Sequence, residues 1–120
     1  SVHAMPLERL RAPDVTFFAA WAGRDLAACG AIKQLDSRHG ELKSMRADPA
    51  WRGKGAGKAV LLHLIEVARQ RGYIRLSLET GVPDDFLPAR QLYLSHGFTF
   101  CGPFGDYHLD DFSVFMTRTL

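Results

Sequence analysis

The segment 51–58 (WRGKGAGK) constrains the fold more than any other part of this 120-residue chain. It sets three glycines and three cations between a segment with strand-like alternation and a long apolar run. Glycines expose consecutive backbone N–H groups, and a helix that begins there adds the positive end of its dipole. The segment therefore predicts an anion-binding turn between a strand and a helix.

Spacing separates three kinds of phosphate-binding turn. A Walker A loop needs a glycine where Arg52 stands and a hydroxyl where Ala59 stands, so a nucleoside triphosphate site is not indicated. A Rossmann fingerprint needs a third glycine at the position of Lys58. The pattern [Gln/Arg]-x-x-Gly-x-[Gly/Ala] is satisfied by Arg52, Gly55 and Gly57 and suits a pyrophosphate. The alternative is a glycine-rich turn with a solvated basic face.

The segments around this turn predict a mixed α/β fold. The apolar positions of 58–71 recur with helical spacing, and Gly72 is suited to end that helix in the left-handed conformation. Segments 41–47 and 74–80 alternate as strands, and a helix between them makes them parallel with a right-handed crossover. The remaining elements are strands at 15–21, 26–35, 98–101 and 112–120, a short helix at 6–12, and a second helix ending at Gly97. The predicted order is β-β-β-α-β-α-β-β.

Composition narrows the class of protein further. With 47% hydrophobic and 23% charged residues, the chain is typical of one globular domain covering residues 1–120. A net charge of +2 is too small to indicate nucleic-acid or membrane binding. Cys29 and Cys101 lack metal-ligand spacing, so we expect free thiols and no metal site. The absence of a signal-peptide pattern or a long apolar span predicts a cytoplasmic protein.

A second motif, residues 89–98 (ARQLYLSHGF), matches the pattern A-x-x-L-Y-x-x-x-G-F. Together with the glycine-rich turn it makes the chain resemble the GCN5-related N-acetyltransferases, in a small, mostly uncharacterised bacterial branch. The resemblance covers nearly the whole chain. It implies a mixed, mostly antiparallel sheet whose central parallel strands splay apart at their C-terminal ends. The strand and helices that begin most members are expected to be abbreviated or missing here.

The resemblance also implies acetyl-CoA as the acetyl donor. Its pantetheine arm would pair with backbone groups near Met45 and Ala47. Phe86 stands where many members carry an asparagine, so one cofactor contact is not carried over. The pyrophosphate would rest on the backbone of the turn, which comprises Arg52, Gly53, Lys54, Gly55, Ala56, Gly57 and Lys58.

Amide formation from a thioester needs a neutral amine and a proton for the departing thiolate. Tyr93 matches the family's tyrosine for the second role, because a positioned phenol can assist a thiol whose pKa is roughly 8.5; the alternative is a core aromatic. Glu41 is the candidate that receives the amine proton, or else an exposed strand-end charge. Glu79 is a second candidate base or a group that binds a cationic acceptor. For His96 a helix-capping contact is expected.

The predicted function is therefore an N-acetyltransferase that acts on a small-molecule primary amine by direct attack in a ternary complex. The alternative is a non-catalytic acyl-CoA-binding module that lacks a complete acceptor site. The polar and aromatic loop 104–111 is expected to form either a wall for a cationic amine or a surface or dimer contact. A homodimer is a possible assembly.

Overall fold

A computed structural model describes residues 14–120 of the chain, and the predicted helix at 6–12 lies outside this range. Six strands and two helices follow one another in the predicted order. The strands are β1 (Val15–Ala22), β2 (Asp25–Asp36), β3 (His39–Ala47), β4 (Arg75–Gly81), β5 (Thr99–Cys101) and β6 (Ser113–Thr119). The helices are α1 (Ala56–Gln70) and α2 (Leu87–Ser95).

The strands form one sheet in the order β1-β2-β3-β4-β6-β5. The neighbours β3 and β4 are parallel, as predicted, whereas the other neighbouring pairs are antiparallel. Parallel pairing runs from His39 opposite Arg75 to Leu42 opposite Leu78 and ends there, before either strand ends. The two strands are therefore paired at their N-terminal ends only, in agreement with the predicted splay.

Helix α1 begins and ends next to glycines in the left-handed conformation. Gly55 is its N-cap in the left-handed conformation, and Gly72 follows the C-cap with a φ of 82°. Leu61, Leu64 and Ala68 lie on its buried face against the sheet. Fully burying a leucine side chain contributes about 1.5–3 kcal/mol, so this apolar face holds the helix in place.

A bulge in β3 changes which face its side chains reach. Ser44 and Met45 lie opposite the single residue Gly30 of β2, and Ser44 has a φ of 54°. The extra residue lets Leu42 and Met45, which are three positions apart, both contact the core on the helix-covered face. A Cβ atom on Gly30 would lie 2.5 Å from the Met45 sulfur, so the strand opposite the bulge needs a glycine.

The opposite face of the sheet is covered in part by the loop between β5 and β6. Phe104 from this loop packs edge-on against Tyr107 and against Phe115 of β6, and the rings of Tyr107 and Phe115 meet at a tilt of 54°. On this face His39 and Ser77 hydrogen-bond each other at 2.6 Å, across the paired end of β3 and β4. One end of the parallel pair is thus closed by polar contacts, while the other end is open.

Candidate active site

A cleft of about 430 Å³ opens where β3 and β4 separate. Residues 42–46 of β3 form one wall and residues 78–81 of β4 form the other. Leu42 and Leu78, the last paired residues, form its closed end. Ala89 and Tyr93 of α2 line it from the helix-covered side, whereas Ser113 of β6 also lines it. The cleft therefore combines residues from both faces of the sheet.

The β3 edge of the cleft offers backbone hydrogen-bonding groups. Asp48 N–H donates to the Ala27 carbonyl at 2.9 Å, and Ala47 is paired with Ala28. This register makes Ala47 a non-hydrogen-bonded partner of β2, so its own N–H and C=O point toward the open side next to β4. Met45 lines the cleft, and the same alternation turns its backbone groups to that side. A bound chain could extend the sheet here as an additional strand.

The start of α1 offers backbone donors of the kind predicted. Gly53 and Gly55 have φ values of 74° and 86°, and a Cβ on either would meet nothing within 4 Å. No side chain caps the helix, and its first turn carries no acidic residue. Because the first-turn N–H groups of a helix have no partner within it, this end suits an anion. The turn fits a pyrophosphate by this donor set.

Two cations of the turn lie in different surroundings. The Lys54 ammonium sits 5.3 Å from the ring centre of Trp51. Arg52 lines a second cavity of about 160 Å³ beside the end of β3, together with Arg46 and Ala47. The predicted donor-binding residues thus form two groups, one along the β3 edge and one at the start of α1.

Tyr93 reaches the cleft from the middle of α2. Its side chain is buried, with 5% exposed, and its ring packs edge-on against Phe98 at 5.8 Å between centres. Among residues 14–120, no protein group hydrogen-bonds its hydroxyl. Burial raises the pKa of Tyr93 to about 12, because the phenolate would lose its hydration there. The phenol is therefore a protonated donor across the physiological range.

Glu41 is buried, so it is not the exposed strand-end charge that the sequence left open as an alternative. It does not line the cleft, and its side chain is 3% exposed. The Tyr107 hydroxyl donates to its carboxylate at 2.5 Å, and the Lys43 ammonium donates to the same oxygen at 3.4 Å. Lys43 also donates to the Tyr107 hydroxyl at 3.0 Å. The carboxylate is thus engaged by two neighbours, of which Lys43 lines the cleft.

Lys43 and Glu79 are the first residues beyond the last paired positions of their strands. Because Leu42 and Leu78 point to the core on the helix-covered face, Lys43 and Glu79 point to the other face. Both line the cleft. Glu79 is exposed and accepts a hydrogen bond from the Ser113 hydroxyl at 2.5 Å. A cation and an anion thus stand on opposite strands at the mouth of the splay.

The segment between β4 and α2 completes the wall. Arg90 donates to the carbonyls of Gly81 and Val82 at 2.6 and 2.9 Å and so fixes this segment. A Cβ on Gly81 would lie 2.4 Å from the Phe86 ring, which shows how closely that ring packs against the strand. Phe86 itself lines the cleft. The wall of the cleft is therefore apolar at position 86.

Sequence reasoning missed several contributors. Lys43, Phe112 and Ser113 line the cleft but were given no role from the sequence. No sequence pattern marks Lys43, because residue types alone do not specify where the parallel pairing of β3 and β4 ends. Ser113 lies 34 positions from Glu79, and no local pattern reveals such a contact. The expected capping contact of His96 is confirmed, because its Nδ1 hydrogen-bonds the Leu92 carbonyl at 2.9 Å.

Within 14–120, no group of three or more His, Cys, Asp or Glu side chains could hold a metal ion. Neither helix in this part of the chain is long and apolar enough to cross a membrane. The two cysteines in this range are free thiols, as expected.

Comparison with known proteins gives consistent matches. The model of the acetyltransferase (GNAT) family matches residues 2–98. The uncharacterized N-acetyltransferase YsnE of Bacillus subtilis is 58% identical over 120 residues, covering 100% of this chain and 80% of the relative. The uncharacterized N-acetyltransferase YedL of Escherichia coli is 49% identical, covering 100% of this chain and 76% of that protein. An IAA acetyltransferase of Azospirillum brasilense is 37% identical, with 100% and 78% covered.

Solved structures agree with these matches. A Klebsiella pneumoniae protein assigned as an acyl-CoA N-acyltransferase superimposes with a TM-score of 0.87 at 33% identity, covering 95% of this chain and 79% of that one. A Bacillus subtilis acetyltransferase in complex with CoA has the same fold, with a TM-score of 0.78 at 20% identity and coverage of 95% and 82%.

Proposed function

The chain belongs to the GNAT family of acetyltransferases, and we propose that it transfers the acetyl group of acetyl-CoA to the primary amine of a small molecule, by direct attack in a ternary complex. The proposal treats residues 1–120 as one acetyltransferase domain. The observation that carries it is the cleft beyond Leu42 and Leu78, which joins the two faces of the sheet. Donor and acceptor can therefore approach one reaction point from opposite faces.

The donor is assigned to the helix-covered side. The β3 backbone at Met45 and Ala47 would hold the pantetheine arm, and the turn 52–58 would hold the pyrophosphate. The Arg52, Lys54 and Lys58 side chains add countercharge to the backbone donors there. Members of the family bind CoA or acetyl-CoA, and the open glycines at the start of α1 fit that ligand.

Acetyl-CoA supplies the thioester, and the protein groups position it and handle protons. Tyr93 lines the cleft with a protonated hydroxyl and would donate to the departing thiolate sulfur. Glu79 lines the same cleft from β4 and would take the proton of the attacking amine, directly or through water. Glu41 was the first candidate for that role; by its position it would instead hold Lys43 and Tyr107 in place.

Glutamine variants of Glu79 and Glu41 distinguish the roles of the two carboxylates. Glu79→Gln is expected to lower kcat by about 10²–10⁴-fold, the usual contribution of a general base, with little change in thermal stability. Glu41→Gln is expected to lower thermal stability and to change kcat much less. If Glu41→Gln caused the large loss of kcat and Glu79→Gln did not, the assignment of the proton acceptor would be reversed.

The alternative function, a non-catalytic acyl-CoA-binding module, is tested by two assays on the same preparation. Calorimetric titration with acetyl-CoA measures donor binding, and CoA thiol release over a panel of amines measures transfer. IAA is assayed beside this panel as a separate acceptor, because a relative carries that name. Binding together with amine-dependent thiol release supports the proposal. Binding without release on any acceptor favours the alternative, and absence of binding contradicts both. Cytoplasmic location and a homodimer stay predictions.

A further inference from the structure

The acceptor side of the cleft carries charges of both signs at defined positions. Lys43 and Glu79 follow the last paired residues of β3 and β4, on the face opposite the helices. Neighbouring strands lie about 4.8 Å apart where they are paired, and these two residues are the first beyond the paired region. Among the described residues they form no ion pair with each other, because the ion pair of Lys43 is with Glu41. The cleft is thus lined by a cation and an anion that are not paired with each other, and each can contact a bound acceptor.

Lys43 is held in place by groups outside the cleft. Its ammonium has three N–H donors, and two of them reach the Tyr107 hydroxyl and the Glu41 carboxylate. The side chain is only 19% exposed, which reduces its freedom to move into solvent. Glu41 already offsets part of the desolvation cost of this cation, and a bound carboxylate would add a second anionic partner. The arrangement is a preorganised cation with donor capacity remaining.

The lining of the cleft also includes an apolar surface. Phe86 and Phe112 line the cleft with 45% and 74% of their surfaces exposed, and Pro83 lines it as well. Large apolar side chains left exposed at a cleft provide area for an apolar part of a ligand. The wall therefore combines an anion for an amine, a cation for an anionic group, and an apolar surface.

From this combination we infer that the acceptor is an α-amino acid with an apolar side chain, whose carboxylate is bound by Lys43 while its amine faces Glu79. The inference rests on the proposed function and adds the substrate class. An α-amino acid fits because its amine and carboxylate are bonded to the same carbon, so that one molecule can contact Glu79 and Lys43 at the same time. Its side chain would lie against Phe86 and Phe112. Lys43 is thus a specificity-determining residue.

The test compares two acceptors that differ in one charge, L-phenylalanine and L-phenylalanine amide. The measured quantity is the ratio of their kcat/KM values, compared between enzyme variants so that the different amine pKa values cancel. A hydrogen bond to a charged group changes this ratio by about 10- to 100-fold, and Lys43→Gln is expected to lower it by that factor. Structural damage would lower both values together and leave the ratio unchanged.

Two variants serve as comparisons. Lys33→Gln makes the same change on β2, where Lys33 pairs opposite Glu41 and does not line the cleft, so the ratio is expected to stay at the wild-type value. Arg46 is a second cation that lines the cleft. If Arg46→Gln rather than Lys43→Gln lowered the ratio, the assignment to Lys43 would be overturned.

Failure of this inference is distinguishable from failure of the proposed function. Thiol release with amines that lack a carboxylate, together with no preference for L-phenylalanine over its amide, overturns the inference and leaves the function intact. If no amine is acetylated, the function fails, and the inference is then judged by equilibrium binding in the presence of CoA. Calorimetry should show N-acetyl-L-phenylalanine binding about tenfold more tightly than its amide in the wild type and equally in Lys43→Gln. Equal binding in the wild type contradicts the inference.

Discussion

Replacing Tyr93 by phenylalanine tests, with little structural disturbance, whether its hydroxyl donates to the departing thiolate of CoA. The ring and its contact with Phe98 are kept, and only the hydroxyl is removed. Among residues 14–120 that hydroxyl has no hydrogen-bond partner to lose, so we expect the variant to fold with stability within about 1 kcal/mol of the wild type at pH 7. Any large loss of activity is then due to a slower chemical step and not to a less stable fold.

The size of the effect follows from the Tyr93 pKa. Burial raises it to about 12, whereas the CoA thiol is comparable to cysteine at roughly 8.5. Complete transfer of the proton to a thiolate of that pKa would be uphill by about 5 kcal/mol. Tyr93 is therefore expected to stabilise the developing thiolate mainly as a hydrogen-bond donor. Such a bond to a charged atom is worth about 1.5–3 kcal/mol, so Tyr93→Phe should lower kcat by about 10- to 150-fold.

The assay is CoA thiol release at saturating acceptor from pH 6 to pH 10. We expect kcat to fall while the KM for acetyl-CoA changes less than about threefold, because the interaction is made in the transition state. The wild-type profile should show no alkaline loss due to Tyr93 near pH 10, since its pKa lies at about 12. A variant within twofold of the wild type, or a wild-type alkaline limb near pH 10 that the variant lacks, would refute the reasoning.

The same pKa makes a stability prediction of definite sign. Below pH 10 both folded and unfolded Tyr93 are protonated, so the group adds no pH dependence. Between pH 10 and about 12 the unfolded tyrosine loses its proton while the folded one keeps it, so the free energy of unfolding falls. The loss reaches about 3 kcal/mol at the upper end. Urea unfolding of Tyr93→Phe should lack this part of the alkaline decline; equal slopes in both proteins would contradict the burial of the phenol.

Two further predictions concern the turn and the loop. Gly55→Ala places a side chain at a φ of 86°, so it should destabilise the protein by about 1–2 kcal/mol and weaken acetyl-CoA binding. Gly57→Ala should be neutral or stabilising, because its Cβ would lie 3.9 Å from the nearest neighbour within a helix. Thermal unfolding measures the stability of the two variants, and calorimetry measures their binding of acetyl-CoA. Similar effects of both would contradict the conformational argument. Tyr107→Phe removes a donor to the buried Glu41 and an acceptor for Lys43, so thermal unfolding should show a loss of about 1.5–3 kcal/mol, and an unchanged stability would exclude this contact.

The order of elements was predictable because each signal is local. Helical spacing after 58, alternation in 74–80 and the glycines that end α1 act over a few residues, and the structure confirms them. The parallel strand pair also followed from local signals, because a helix lies between its members. The position of the anion-binding turn needed no tertiary information for the same reason.

The composition of the cleft was harder to predict because it depends on contacts far apart in the chain. Glu41 meets Tyr107 across 66 positions, and the burial of its carboxylate comes from that loop. The bulge at Ser44 shifts the alternation of β3 by one residue, which a regular strand pattern does not reveal. The roles of Lys43 and Glu79 depend on where parallel pairing stops, and residue types alone do not specify that point.

The proposed function requires that donor and acceptor meet in one cleft and react directly. The most direct measurement is the initial rate of CoA release with acetyl-CoA and the acceptor varied together, with the acetylated amine identified by mass spectrometry. Direct attack in a ternary complex predicts double-reciprocal lines that intersect, and one acetylated amine for each thiol released. Parallel lines with an acetylated enzyme, or thiol release without an acetylated amine, would contradict the account.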